Sequence, residues 1–507
     1  MRAFSPAANA QLHHWAGLTP MKRREFVTFA GAAGLGAASG KLAAAPTQTS
    51  PGLNMPPGPD AAPVPGPPAD YTLRIAPAAL EIAPSHYVST IAYNGTSPGP
   101  ILRMKEGKPV TVDVINETDA PELVHWHGLF VPSEIDGTEE EGTPPIPPGA
   151  RRRYQFTPRP AGTRWYHTHA MAAGDLHRGS YTGQYGFLMI DSGADPGHYD
   201  QELFLALRDW EPFYTDQFVD MDEQESPGPQ PERPEKLDTR ANGLEVISQL
   251  YSINDKALRA GEPIRVRAGS RVLVHLLNAS AVENRQIALP GHEFHVLALD
   301  GNPVPVQQTA KVITLGPGER VDAYLEMNQP GVWILGATDE AARNAGLGVV
   351  VEYANQHGQP KWVPQPGARW DYTVFGNPPS SQPPPEHVIE MVFEKIPGGA
   401  GPFNLWTVNG KSYPHDREFV LQQGQRYRLV FRNRTDDSHP LHLHRHLFEL
   451  VDVNGKPTSG IRKDTVVVPI YGRVSVDLTA DQPGLSLFHC HIQSHMDFGF
   501  KALFRYA

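Results

Sequence analysis

The chain has 507 residues, of which 40% are apolar and 20% charged, with a formal net charge of -11 and a single cysteine. That length buries several cores, so two to four globular domains are expected. The negative balance argues against nucleic acid or an anionic membrane surface as partner, because both attract basic patches.

From the N-terminus, residues 1–45 read as an export signal. "MKRREF" is a basic region with paired Arg23 and Arg24, "VTFAGAAGLGAASG" is mildly apolar, and "KLAAAP" offers a small-residue cleavage site. The pattern is of the twin-arginine type, and Met21 is a plausible true start because residues 1–20 lack signal character. A periplasmic or secreted location is expected, where disulfides are allowed. A lone cysteine forms none within the chain, which leaves its thiol free for another task. No later segment approaches 18 apolar residues, so no membrane span is expected in the mature protein.

Residues 46–70 are too rich in Pro and Gly to pack and read as a linker. Beyond it, short runs of Val, Ile, Leu and Tyr alternate with Gly and Pro turns, the pattern of an all-β chain. Three stretches repeat one another: "YNGTSPGPILRMKEGKPVTVDVINET", "INDKALRAGEPIRVRAGSRVLVHLLNAS" and "VNGKSYPHDREFVLQQGQRYRLVFRNRT". Their turn glycines, Gly107, Gly269 and Gly424, each precede an asparagine (Asn116, Asn278, Asn433) by nine residues. A later block recurs too, around Gly162, Gly331 and Gly484. Three copies of one β-sandwich domain are therefore expected at 71–195, 196–360 and 385–507, with a Pro-rich connector at 361–384.

The copies differ in their histidines. Nine residues after the second asparagine stand His125, Ile287 and His442, and two further on His127, Leu289 and His444. Five residues after the last turn glycine stand His167, Gly336 and His489, then His169, Thr338 and His491. The outer copies thus carry four His-x-His units, and the middle copy has lost every one. In a strand such a pair puts both imidazoles on one face, spaced for a metal, and the internal alignment predicts that the two outer faces meet. Cys490, between His489 and His491, then points to the opposite face and serves a different metal. With His439 and His495 it makes a thiolate and two imidazoles, the donor set of a blue-copper site.

"HWHG", "HTH", "HPLHLH" and "HCHIQSH" together resemble the copper signatures of the multicopper oxidases, the three-domain laccase-like bacterial type, over about 71–507. The resemblance implies three consecutive cupredoxin-like Greek-key β-sandwiches and four coppers per chain. His439, Cys490 and His495 would bind the type 1 copper, and His125 and His442 the type 2. His127, His167, His169, His444, His489 and His491 would bind the type 3 pair. The implied reaction is one-electron oxidation of a small reductant, a phenol or aromatic amine, at the type 1 site, with His495 as the entry point for electrons. Dioxygen is reduced to water at the cluster. A monomer is expected.

Asp136 stands where bacterial relatives have a proton-relay acid, whereas Met496 replaces a Glu found in some of them after the last type 1 histidine; Asp497 is the substitute to consider. The neighbouring run "TEEEGT" is expected to be a solvated loop. Phe500, where relatives carry an axial Met, is expected to wall the type 1 site with an apolar ring. His292 and His295 of the middle copy are expected to be structural, because a spacing of three suits no strand pair. The ten methionines form no cluster, which weakens a copper-efflux role. Oxidation of Cu(I) or Fe(II) is the alternative activity. A copper-free scaffold and the two-domain nitrite reductase design fit less well, because all eleven candidate ligands are kept.

Overall fold

The structure is a computed structural model that describes residues 66–194, 197–215, 243–365, 370–379, 383–415 and 418–507. The expected export signal and all but the last five residues of the expected linker lie outside the described residues. The fold is all-β, and its strands sort into three pairs of sheets.

The same pairing scheme appears three times. In the first, strand Tyr71–Ala83 forms a hairpin with His86–Tyr93 and runs parallel to Val110–Asn116, which pairs in turn with Arg151–Phe156. In the second, Gln201–Thr215 forms a hairpin with Glu245–Ile253 and runs parallel to Arg271–Asn278, which pairs with Arg320–Glu326. In the third, His387–Ala400 pairs with Phe403–Val408 and runs parallel to Arg426–Asn433, which pairs with Arg473–Thr479. Each large sheet faces a smaller one of three or five strands. Inward residues alternate with outward ones, as Leu73 and Ile75 show in the first strand, both fully buried. Among the described residues no helix is long and apolar enough to cross a membrane.

The residues that recur in the sequence perform recurring tasks. Gly107, Gly269 and Gly424 sit at φ +71°, +81° and +81°, a backbone region that a Cβ disfavours, so each turn keeps its glycine. Asn116, Asn278 and Asn433 are all fully buried. The amide of Asn116 donates to Ala120 O and Ile146 O, that of Asn278 to Glu283 O and Leu315 O, and that of Asn433 to Asp437 O and Pro469 O. Each thereby clamps the loop that leads to the histidine positions.

One expectation needs correction, and one feature of the middle copy adds to it. The second imidazole of each pair is not on a strand: His167, His442 and His489 lie on strands, whereas His169, His444 and His491 lie just past the strand ends, and His127 is in a turn. In the middle copy the pairing slips by one residue. His125 faces His167 and His442 faces His489, but Ile287 faces Ala337 rather than Gly336. A slip of one reverses the faces of a strand, so the middle copy differs from the outer two in cross-strand geometry as well as in its side chains. Ile287 and Leu289 are core there.

First and second sandwiches are joined through His275, which is paired within the second sandwich and bonded to Thr163 of the first, and by a more exposed pair between Arg103 and Glu202. His275 Nδ1 lies 2.8 Å from Asp322 Oδ1 and 2.9 Å from Thr163 Oγ1, and its Nε2 lies 3.2 Å from Glu202 Oε1. Glu202 also pairs with Arg103 at 2.7 Å. Burial alone pulls the imidazolium down, but Asp322 and Glu202 outweigh it and lift the pKa to about 9. A group whose pKa is raised on folding contributes its full stability below the unfolded value of 6.5 and loses it as pH rises through about 9. Between those limits apoprotein stability is expected to fall by roughly 2–3 kcal/mol. Urea unfolding of His275→Gln should lack that component; an unchanged pH slope in the variant would contradict the assignment.

Candidate metal centre

Strand Leu485–Cys490 pairs antiparallel with His439–Leu443, placing Leu441 opposite Cys490 and His442 opposite His489. The two strands therefore present different donors on their two faces. On one face Cys490 Sγ lies 3.7 Å from His439 Nδ1 and 3.6 Å from His495 Nδ1, the latter carried on the short helix Gln493–Asp497. Thr435 Oγ1 meets His439 Nε2 at 2.8 Å, so the ring turns Nδ1 toward the sulfur. Trp406 packs 3.9 Å from the His495 ring, and Phe500 4.8 Å from that of His439. Burial pushes the Cys490 thiol up, and burial also pushes His439 well below the ordinary histidine range. A cation among these three donors would reverse the first effect, because a coordinating thiol is deprotonated outright.

On the other face all eight expected imidazoles come together, four from the first sandwich and four from the third. His125 stacks on His444 at 3.9 Å and His127 on His442 at 3.7 Å, while His169 meets His489 edge-on at 5.0 Å. Their ring nitrogens form overlapping triads: His125, His127 and His167; His169, His444 and His489; His125, His442 and His444. Every one of these side chains is nearly or fully buried.

The hydrogen bonds decide which nitrogen each ring offers. Nδ1 of His125 donates to Asp136 O at 2.8 Å, of His167 to Thr168 O at 2.8 Å, of His442 to Asp464 O at 2.7 Å and of His489 to Cys490 O at 2.9 Å. His444 Nδ1 donates to Asp136 Oδ2 at 2.8 Å. That leaves Nε2 as the bare acceptor in all five. The Nε2 atoms of His444 and His489 then face each other at 3.0 Å, and those of His169 and His489 at 3.4 Å. His125 Nε2, His127 Nδ1, His167 Nε2 and His442 Nε2 are buried without a partner in the protein. Lone pairs crowded so closely repel one another, and a buried acceptor left unpaired costs about 1–3 kcal/mol. Metal cations relieve both penalties at once. Burial first, then neighbouring imidazoles, drive His127, His167, His169, His442, His444 and His489 far below the ordinary range. They are neutral at pH 7, the form that binds metal.

Of the carboxylates in this region, Asp136 and Asp497 were expected from the sequence, and Glu141 and Asp464 were not. Asp136 is fully buried beside His444, with its Oδ1 unpartnered in the protein. Glu141 corrects the solvated-loop expectation for "TEEEGT". Glu139 is exposed, but Glu141 is buried, 3.2 Å from His444 Nδ1, and accepts from Leu487 N at 2.8 Å. Its only sequence signal is its place five residues after Asp136. Burial, and then the charge of Asp136, raise the Glu141 pKa well above the carboxylate range. Asp464, which no motif marks, holds His127 Nε2 at 3.1 Å. Asp497 accepts from Ala172 N and Ala173 N, and burial raises it to about 6. Met496 is buried. In the middle sandwich His292 bonds Tyr353 and Pro290, and His295 stacks on Tyr324 at 4.3 Å.

Three family descriptions, each headed multicopper oxidase, match residues 76–195, 213–355 and 382–507. A multicopper oxidase of Mycobacterium tuberculosis is 30% identical over 440 residues, covering 84% of each chain. Laccase-2 of Botryotinia fuckeliana is 25% identical, covering 83% of this chain and 80% of its own. Among solved structures, a multi-copper oxidase from Pseudomonas thermotolerans superposes with a TM-score of 0.64 at 26% identity, covering 87% of this chain and all of that one.

The placement of Glu141 can be tested on the metal-free protein. Glu141→Ala would leave the Leu487 N–H and the Thr138 hydroxyl unpaired, at an expected cost of about 2 kcal/mol in denaturant unfolding. Glu141→Gln keeps the acceptor and mimics the protonated acid, so it should cost well under half as much. Equal losses in the two variants would show that Glu141 is not held as a neutral acceptor.

Proposed function

The chain belongs to the multicopper oxidase family, and on that premise we propose that it is a laccase-like oxidase taking single electrons from a small phenol or aromatic amine beside His495. Bound copper supplies the chemistry, one-electron oxidation of the reductant and four-electron reduction of dioxygen to water. Its holders would be His439, Cys490 and His495 at a mononuclear type 1 site, His125 and His442 at the type 2 site, and His127, His167, His169, His444, His489 and His491 at the type 3 pair, four ions in all. The fit rests on the unpartnered ring nitrogens and on the thiol set between two imidazoles. Phe500, packed 4.8 Å from the His439 ring, would wall the mononuclear site with an apolar side chain that offers no donor atom.

The chain's own residues divide the remaining work. Trp406 packs at a tilt against the buried His495 ring, 3.9 Å between centroids, and would hold that ring in place beside Cys490. Asp136 and Glu141 lie within hydrogen-bonding reach of each other beside His444, and they would hold protons for the oxygen-reducing side. The substrate reading is carried by Glu245. Its Oε2 lies 3.9 Å from His495 Nε2, a nitrogen with no hydrogen-bond partner in the protein, while its other oxygen is held by Asn404. Phe403, stacked at 4.3 Å on Phe498 and 5.1 Å from Tyr214, adds aromatic surface nearby. An aromatic substrate would lie on those rings with its hydroxyl or amino group toward His495, and Glu245 Oε2 would accept the proton that an oxidised phenol releases.

Steady-state oxidation of a phenol, an aromatic diamine, Fe(II) and Cu(I) by one copper-loaded preparation tests this reading. Phenol and diamine are expected to be preferred, and Glu245→Gln should lower kcat/KM for the phenol by about 10²-fold. Preference for Fe(II) or Cu(I), or an unchanged phenol rate in the variant, would overturn the substrate assignment and leave the family standing.

A further inference from the structure

His127 is turned the opposite way from its neighbours. His125, His167, His442 and His489 give Nδ1 to a backbone carbonyl and present Nε2. His127 instead gives Nε2 to Asp464 Oδ1 at 3.1 Å and lies 3.2 Å from Thr465 Oγ1, so that Nδ1 is its unpartnered atom. A carbonyl is placed by the main chain, but a carboxylate needs an anchor of its own. Arg320, fully buried in the middle sandwich, provides it through a two-pronged pair, Nη1 to Asp464 Oδ1 at 2.7 Å and Nη2 to Oδ2 at 2.6 Å.

All five donors of the Arg320 guanidinium are used. The other bonds run from Nε to Thr163 O at 3.3 Å, from Nη1 to Gly318 O at 3.0 Å and from Nη2 to Asp300 O at 3.1 Å. One side chain thus touches the first, second and third sandwiches with a fixed fork geometry that lysine does not possess. Asp300 completes the clamp by accepting from the main-chain N–H groups of Asp464 and Thr465. A second contact leads to the same place. Gly318, two residues before Arg320, sits at φ +87°, and a Cβ there would lie 2.8 Å from the His491 ring.

We propose that Arg320 is a positioning residue of the trinuclear site: through Asp464 it locks His127 in the orientation that presents Nδ1, so the ligand-free middle sandwich governs copper loading between the other two. The inference rests on the assignment of the eight imidazoles as copper ligands, and the wild-type protein serves as its control. A metal-binding histidine that loses its carboxylate partner typically loses 10- to 100-fold in metal affinity.

The experiment measures copper per chain and blue absorbance during equilibration with a graded copper chelator, for wild type, Arg320→Met, Arg320→Lys and Asp464→Asn. Arg320→Met and Asp464→Asn are expected to release cluster copper at roughly 10- to 100-fold lower chelator strength, with the Cys490 blue band unchanged per chain; Arg320→Lys should fall between them and wild type. Wild-type affinity for every copper in both Arg320→Met and Asp464→Asn would overturn the proposal. So would loss of the blue band in step with the cluster, or apoprotein of both variants that does not fold, since either result makes the network a prop of the fold as a whole. If wild type itself binds no more than one copper, the ligand assignment has failed instead.

Discussion

Eight buried imidazoles with their ring nitrogens gathered in one cluster form the constraint that the rest of the structure serves. Two Nε2 atoms at 3.0 Å, each on a ring whose other nitrogen already donates, are a repulsive arrangement that the protein alone does not relieve. Such an arrangement holds only when the surrounding structure over-determines it. Here the support is layered. Buried asparagines clamp the loops before the ligands, cross-strand pairing sets His125 against His167 and His442 against His489, and carbonyls fix the tautomers.

Two-faced strand geometry then joins the cluster to the thiol and its two imidazoles. Because adjacent side chains on a strand point to opposite faces, His489 and Cys490 belong to different donor sets although they are consecutive in the chain. The connection is as short as a polypeptide allows and needs no additional residues. The helix that follows brings His495 back onto the sulfur side, and Cys490 N bonds Phe500 O at 3.1 Å, tying both ends of that excursion together. The middle sandwich, stripped of ligands, keeps a structural hold on the same region through Gly318 and Arg320.

The parts legible in the sequence were those carried by local spacing. Four His-x-His units, a cysteine between two of them and repeated Gly-to-Asn intervals foretold which side chains gather on the two faces of the Cys490 strand and the threefold recurrence of the strand pairing. Less legible was everything set by tertiary contact. No spacing rule shows that His127, His169, His444 and His491 lie beyond their strands, because strand ends are decided by pairing partners elsewhere. The one-residue slip at Ala337 is invisible for the same reason. Glu141 sits among acidic neighbours that suggest solvent, and only its contacts with Leu487 and His444, more than 300 positions away, show it to be buried. Asp464 and Arg320, 144 residues apart in the chain, carry no motif at all.

The claim that one strand divides its donors between two metal sites is tested most directly by Cys490→Ser, with copper counted and optical spectra recorded on the loaded protein. The account predicts loss of the blue band and of one copper, with three coppers retained by the imidazoles on the other face. A blue band that survives, or a protein that loses all its copper together, would contradict it.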